Sequence, residues 1–138
     1  MNSVERVKAQ VAAEYLIVMA FLLVAVGVLS AYSFITLSES IKARQAINAV
    51  DSIANAADRV GAFGENSKLI VKVELPDGVL AFKTTGKEVQ IQMQSFGNTT
   101  DVYTTALFDI TPATLSPNSG KTLYLVEVVD SNVVVSPA

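Results

Sequence analysis

Residues 8–38 read KAQVAAEYLIVMAFLLVAVGVLSAYSFITLS, and this stretch decides the fold of the N-terminal part of the chain. Its last 24 residues, Tyr15–Ser38, carry no formal charge and are rich in Leu, Val, Ile, Ala and Phe. Leu16–Ile35 is 20 residues long, enough for a helix to span the roughly 30 Å hydrocarbon core of a bilayer. Glu14 stands at the edge of this run, where an unpaired charge is costly. The stretch therefore predicts a transmembrane helix with one acid that needs a partner.

The charged residues on either side of the apolar run bear on its orientation. Arg6 and Lys8 precede it, and by the positive-inside tendency they place the N-terminus in the cytoplasm. Lys42 and Arg44 follow it and weaken that signal, and they are expected to pair with acidic headgroups or with Glu39. We predict a single-pass membrane protein with a cytoplasmic N-terminus.

The helical pattern continues beyond the apolar run. Residues 38–60 contain no Pro or Gly, and their apolar side chains recur mostly every three or four positions, as on one face of an amphipathic helix. Gly61 and Gly64 supply stop signals. The expected helix covers residues 10–61, at first transmembrane and then amphipathic.

After Gly64 the apolar period falls to two, which is typical of strands. In KLIVKVEL, residues 68–75, Leu and Val alternate with charged residues on the opposite face. Pro76-Asp77-Gly78 and Thr85-Gly86-Lys87 are turn signals between further alternating segments. About six strands with short connections predict an antiparallel sandwich or barrel over residues 65–138. The fold class is thus α+β: a long N-terminal helix followed by a small β head.

Composition excludes several function classes. The 138-residue chain has no Cys and no His, which rules out disulfides, thiolate or imidazole metal ligands, and Ser-His or Cys-His triads. Its net charge of −3 and the absence of a basic cluster argue against a nucleic-acid partner. The acidic residues show no spacing suited to acid–base catalysis. We expect no enzyme activity, no catalytic residue, no metal and no cofactor.

Three interpretations of the N-terminal segment remain open from the residues. A secretory signal peptide would be cleaved within the apolar run, although this run exceeds the usual 7–15 residues of such a peptide. A signal-anchor helix would hold a non-polymerising β-domain binding module at the outer surface, but it leaves the position of Glu14 unexplained. The third interpretation comes from a family.

The stretch KAQVAAEYL, residues 8–16, resembles the processing site of archaeal type IV pilins with class III signal peptides. These precursors have a short basic leader, a Gln that becomes the mature N-terminus, a Glu at the fifth mature position, a Tyr at the sixth, and then an apolar helix. Gln10, Glu14 and Tyr15 match those positions. The family often has Ser at the third mature position, where this chain has Ala12. The resemblance covers residues 1–60, and no motif extends it into the β region.

The resemblance implies a structural role. A prepilin peptidase would remove the leader, residues 1–9, by cutting between Ala9 and Gln10. Identical subunits would then polymerise through their helices into a cell-surface filament for adhesion, with the help of a pilus assembly machinery. Gln10, Glu14 and Tyr15 would set the assembly register, because Glu14 would neutralise the new N-terminal ammonium of its own or a neighbouring subunit. The precursor would lie in the membrane and the mature protein in an extracellular filament.

One modification signal lies in the predicted head. Asn98-Thr99-Thr100 is an N-x-[ST] sequon within a predicted loop, which makes Asn98 a candidate for N-glycosylation. Such tripeptides also arise by chance, and the surrounding residues are good turn formers. The sequence leaves both interpretations open.

Overall fold

The computed structural model describes residues 2–138 and confirms the α+β fold. One long N-terminal helix is followed by five strands. The elements are α1 (Ser3–Phe63), β1 (Lys68–Leu75), β2 (Val79–Ser95), β3 (Asn98–Leu115), β4 (Gly120–Val129) and β5 (Asn132–Pro137).

Helix α1 begins earlier and ends later than the sequence predicts. It begins at Ser3, so most of the predicted leader, residues 1–9, is helical from Ser3 onward. At the other end, Gly61 lies inside the helix and Gly64 ends it. Gly64 has a φ of +85°, and its N–H donates to the Val60 carbonyl at 3.0 Å. A glycine in the left-handed region is a common helix C-cap, because it has no Cβ to clash.

The chain divides into two compact units between Ser38 and Glu39. In the second unit, α1 buries one face in the core that it shares with the sheet. The apolar residues that give residues 38–60 their predicted helical spacing are buried there, except Ile41, which is exposed; the buried ones are Ala46, Val50, Ile53, Ala57 and Val60. Small side chains dominate the buried face, which lets a helix lie close to its neighbours. Its buried residues are Ala46, Ala49, Val50, Ile53, Ala54, Ala56, Ala57 and Val60.

The strands form one sheet in the order β1-β4-β5-β3-β2. All neighbours are antiparallel except β3 and β5, which meet in parallel at Ile110 and Val133. The prediction of an antiparallel sandwich or barrel is therefore right in its antiparallel pairing. The layer that covers the apolar face of the sheet, however, is the helix rather than a second sheet.

Strand β2 contains two of the predicted strands and the turn between them. The N–H of Gln94 donates to the carbonyl of Gly78 at 3.0 Å, although 16 extended residues would span about 50 Å. The chain therefore reverses within β2. Gly86 lies midway with a φ of +58°, and the pairing of β2 with β3 shifts on both sides of it. The predicted Thr85-Gly86-Lys87 turn agrees with this reversal.

Two predicted loops are partly strand. The turn-forming segment FGNTTD, residues 96–101, predicts a loop, but the turn is confined to Phe96 and Gly97, and β3 begins at Asn98. The segment TPATLSPNSG, residues 111–120, likewise predicts a loop, but this loop is shorter because β3 continues to Leu115. Backbone pairing with β2, from Phe82–Leu115 to Ser95–Asn98, supplies hydrogen bonds that turn-forming residues alone do not predict.

Candidate assembly site on the N-terminal helix

The first unit presents an apolar helical surface with nothing packed on it. Every residue from Asn2 to Leu37 is exposed except Ala25, which is half-buried. The helix is long and apolar enough to cross a membrane, and none of its most apolar 18-residue window is buried. Large aliphatic and aromatic side chains lie all around the helix rather than on one face. A helix that is apolar on all sides requires apolar surroundings on all sides.

The four predicted processing and register residues lie close together on this helix. Ala9 and Gln10 are exposed, so the bond between them is on the surface. The Gln10 side-chain amide donates from Nε2 to Oε1 of Glu14 at 3.1 Å. Residues four apart lie on one face of a helix, and this bond gives Glu14 a partner within its own helix. Tyr15 is exposed next to Glu14.

At the other end of the apolar segment, hydroxyl groups are satisfied within the helix. Thr36 Oγ1 donates to the Tyr32 carbonyl and Ser38 Oγ to the Phe34 carbonyl, both at 3.0 Å. Such bonds to the preceding turn remove the need for water at these hydroxyls. The polar side chains here are therefore compatible with apolar surroundings.

A charged cluster begins one residue later, within the second unit. The Glu39 carboxylate accepts a hydrogen bond from Lys42 Nζ at 3.0 Å and one from Ser95 Oγ at 3.0 Å. The Lys42 ammonium, followed by the Ser95 hydroxyl, holds the pKa of Glu39 below its usual value. The ion pair agrees with the expected partnership of Lys42 and Glu39. The bond to Ser95, 56 positions away, had no sequence signal.

The candidate glycosylation site has a different setting from the predicted one. Asn98 is exposed, which an acceptor requires, but it is the first residue of β3 and pairs with Ser95 across a tight turn. The side chain therefore lies beside a turn rather than within a loop.

The described residues form no candidate metal centre. Among residues 2–138, no group of three or more Asp and Glu side chains is arranged to hold an ion.

Comparison with known proteins adds no identity: no protein family, no curated protein and no solved structure matches this chain.

Proposed function

We propose that this chain is the structural subunit of a type IV-like pilus filament at the cell surface. It is cut between Ala9 and Gln10 and polymerises through its hydrophobic N-terminal helix, and the filament serves adhesion. The observation that carries the proposal is the exposed apolar helix preceded by the Gln10, Glu14, Tyr15 pattern.

The exposed apolar surface of the helix is suited to two environments that the subunit meets in turn. The precursor lies in the membrane as a single span with Arg6 and Lys8 on the cytoplasmic side. In the filament, the same side chains contact the helices of identical subunits. Lipid tails are about as apolar as Leu, so the transfer from lipid to helix bundle is not opposed by the hydrophobic effect. Exposure of the same surface to water would cost about 25 cal/mol per Å².

The position of Glu14 gives the polymer its register. In the uncut chain its carboxylate accepts a bond from the Gln10 side chain. After cleavage the α-ammonium group of Gln10 lies on the same face, four residues away, and it or the ammonium of a neighbouring subunit pairs with Glu14. An incorrect stagger leaves a buried carboxylate unpaired, which costs several kcal/mol. Tyr15 adjoins this pair at the start of the apolar segment.

Several partners follow from this proposal. A prepilin peptidase removes residues 1–9, an assembly machinery extracts the subunit, and further copies of the chain surround its helix. No catalytic step, cofactor or nucleic acid takes part. The alternative to this function is a membrane-anchored extracellular binding module that never polymerises.

Analysis of the protein recovered from cells that express the full chain distinguishes the filament subunit from the anchored module. We expect filaments sheared from the surface to contain subunits whose N-terminal residue is Gln10. If the uncut protein is recovered solely by detergent extraction of membranes, the anchored module is correct and the filament proposal is wrong.

A second test concerns the charge of Glu14. We expect Glu14→Gln to keep the apolar helix and the cleavage but to abolish or slow filament assembly. Glu5→Gln is the matched control, because Glu5 is also an exposed acid on this helix but is removed with the leader. Normal piliation of the Glu14→Gln variant would refute the register role.

A further inference from the structure

The turn between β2 and β3 places an aromatic residue in an unusual conformation. Ser95 pairs with Asn98, and the two residues between them, Phe96 and Gly97, have φ values of +48° and +77°. Positive φ at both central positions is the signature of a type I′ turn, which favours Asn or Asp followed by Gly. A bulky aromatic residue with positive φ is a genuine outlier.

Another hairpin of the same sheet has a residue type that is common at the first central position of such a turn. Between β4 and β5, Asp130 and Ser131 occupy the two central positions with φ values of +50° and +64°. Asp is a favoured residue in the left-handed region, and its side chain suits solvent. Phe96 has neither advantage, since its side chain is bulky and apolar and the residue is 65% exposed. A strained residue that packs little within its own chain points to a contact outside it.

The hydrogen bonds of the turn fix where that contact lies. Ser95 Oγ donates to Glu39 Oε2 at 3.0 Å, and the Phe96 backbone amide interacts with the same carboxylate. Glu39 follows the uncharged segment directly and is four residues beyond Ile35, a rise of about 6 Å along a helix. When Leu16–Ile35 spans a bilayer, Glu39 is at the membrane surface, and so is the turn that it holds.

We propose that Phe96 inserts into the lipid–water interface of the outer membrane leaflet while the precursor spans the membrane. This rests on the proposed function, because it requires the apolar helix to cross a bilayer. Aromatic side chains at this depth place their rings near the boundary of the acyl chains, while polar neighbouring residues stay in the headgroup region. Lys42, paired with Glu39, is suited to that polar layer. The turn thus anchors the head to the surface from which the subunit is later extracted.

The chain offers a clean fluorescence test, since it contains no Trp. The full chain is reconstituted in phosphatidylcholine–phosphatidylglycerol vesicles as Phe96→Trp, as Phe63→Trp and as Phe21→Trp. Phe63 is the matched control, because it is an exposed Phe too (81%) but lies 24 residues beyond Glu39, about 36 Å along a helix. Phe21 lies within the spanning segment and reports insertion itself. Circular dichroism of each variant checks that the fold is kept.

We expect lipids brominated near the headgroup to quench more than half of the indole emission of the Phe96→Trp variant, with a blue shift, and to leave the emission of Phe63→Trp unchanged. The emission of Phe21→Trp should be quenched best by lipids brominated deep in the chains. Adding Glu39→Ala to Phe96→Trp should reduce the quenching, because the turn loses its tether.

Three outcomes would overturn the inference. If the Phe21→Trp variant is quenched and the Phe96→Trp variant is not, the interface contact is wrong and the filament proposal is unaffected. If the emission of Phe96→Trp shifts to the blue without lipid quenching and the shift grows with protein density, the turn contacts a second copy instead. If the Phe21→Trp variant itself is not quenched, membrane insertion fails, and the inference fails with it.

Discussion

Replacement of Gly61 by alanine tests how the C-terminal end of α1 fits the sheet. A Cβ atom at this position would overlap Cγ of Phe108 and would lie 2.5 and 2.9 Å from its two Cδ atoms. Carbon atoms in ordinary contact are about 3.5–4.0 Å apart. Rotation of the ring about χ2 leaves Cγ in place, so relief requires a change of χ1 or a movement of the backbone. We therefore expect the overlap to cost about 2–3 kcal/mol, the upper part of the usual range for overpacking.

An opposing effect must be subtracted. Gly61 lies inside the helix, where alanine is favoured over glycine by about 1 kcal/mol. The net expectation is that Gly61→Ala lowers the free energy of unfolding by about 1–2 kcal/mol. In a Phe108→Ala background the ring atoms are absent, and the same substitution should raise the free energy of unfolding by up to about 1 kcal/mol. The change of sign is the diagnostic result.

Urea unfolding of the full chain in mild detergent, followed by circular dichroism, measures these differences from the shift in midpoint at constant slope. Gly27→Ala is the control, because nothing lies within 4 Å of a Cβ built there, and it should not destabilise. If Gly61→Ala is equally destabilising with and without the Phe108 ring, the crowding argument is wrong. The same conclusion follows if it stabilises the unaltered chain.

Two further predictions concern hydrogen bonds of the head. Thr84 is buried, donates to the Thr111 carbonyl at 3.0 Å and accepts from the Ala113 N–H at 3.1 Å. Thr84→Val keeps the shape but leaves these groups unpaired, so urea unfolding should show a loss of about 1–3 kcal/mol, which a fully retained stability would contradict. The lowered pKa of Glu39 means that its ionised form stabilises the fold above the ordinary pKa of 4.5, and that this contribution is lost as pH falls through the folded-state pKa. Stability titrated against pH should therefore fall more steeply in acid for the unaltered chain than for Glu39→Gln, and identical profiles would refute the role of the cluster.

Local patterns explain how much of the fold the sequence predicts. The helix follows from an uninterrupted run of helix-compatible residues, and its buried face from three-and-four spacing. The reversal in β2 follows from a glycine between two alternating segments. The full length of β3 does not follow from a local pattern. Thr111-Pro112 predicts a loop, but these residues belong to the strand because the residues on either side of them pair with residues far along the chain. Pairing partners far along the chain leave no local signal.

Contacts between distant residues also limit what can be predicted of the site. Gly61 and Gly64 look alike in the sequence as stop signals. The close Phe108 ring leaves no room for a Cβ at position 61, whereas position 64 favours glycine because its φ is positive. The bond from Gln10 to Glu14 is a four-residue helical spacing and is predictable from the sequence. The bond from Ser95 to Glu39 depends on the tertiary fold and is not.

The contrast between the two parts of α1 constrains the kind of partner that its first part requires. Beyond Glu39 the helix is apolar on one face, where many residues are alanine, and the single sheet packed on that face covers its apolar side chains. Before Ser38 the large apolar side chains lie on all sides, and none of them is buried. A binding partner with one groove would cover one face and leave the others in water, at about 25 cal/mol per Å² of apolar surface. Lipid surrounds a helix completely, and so do several neighbouring helices in a bundle. The exposed surface therefore requires an environment that surrounds it, and this favours a membrane span or a helix bundle over a segment that docks on a single partner.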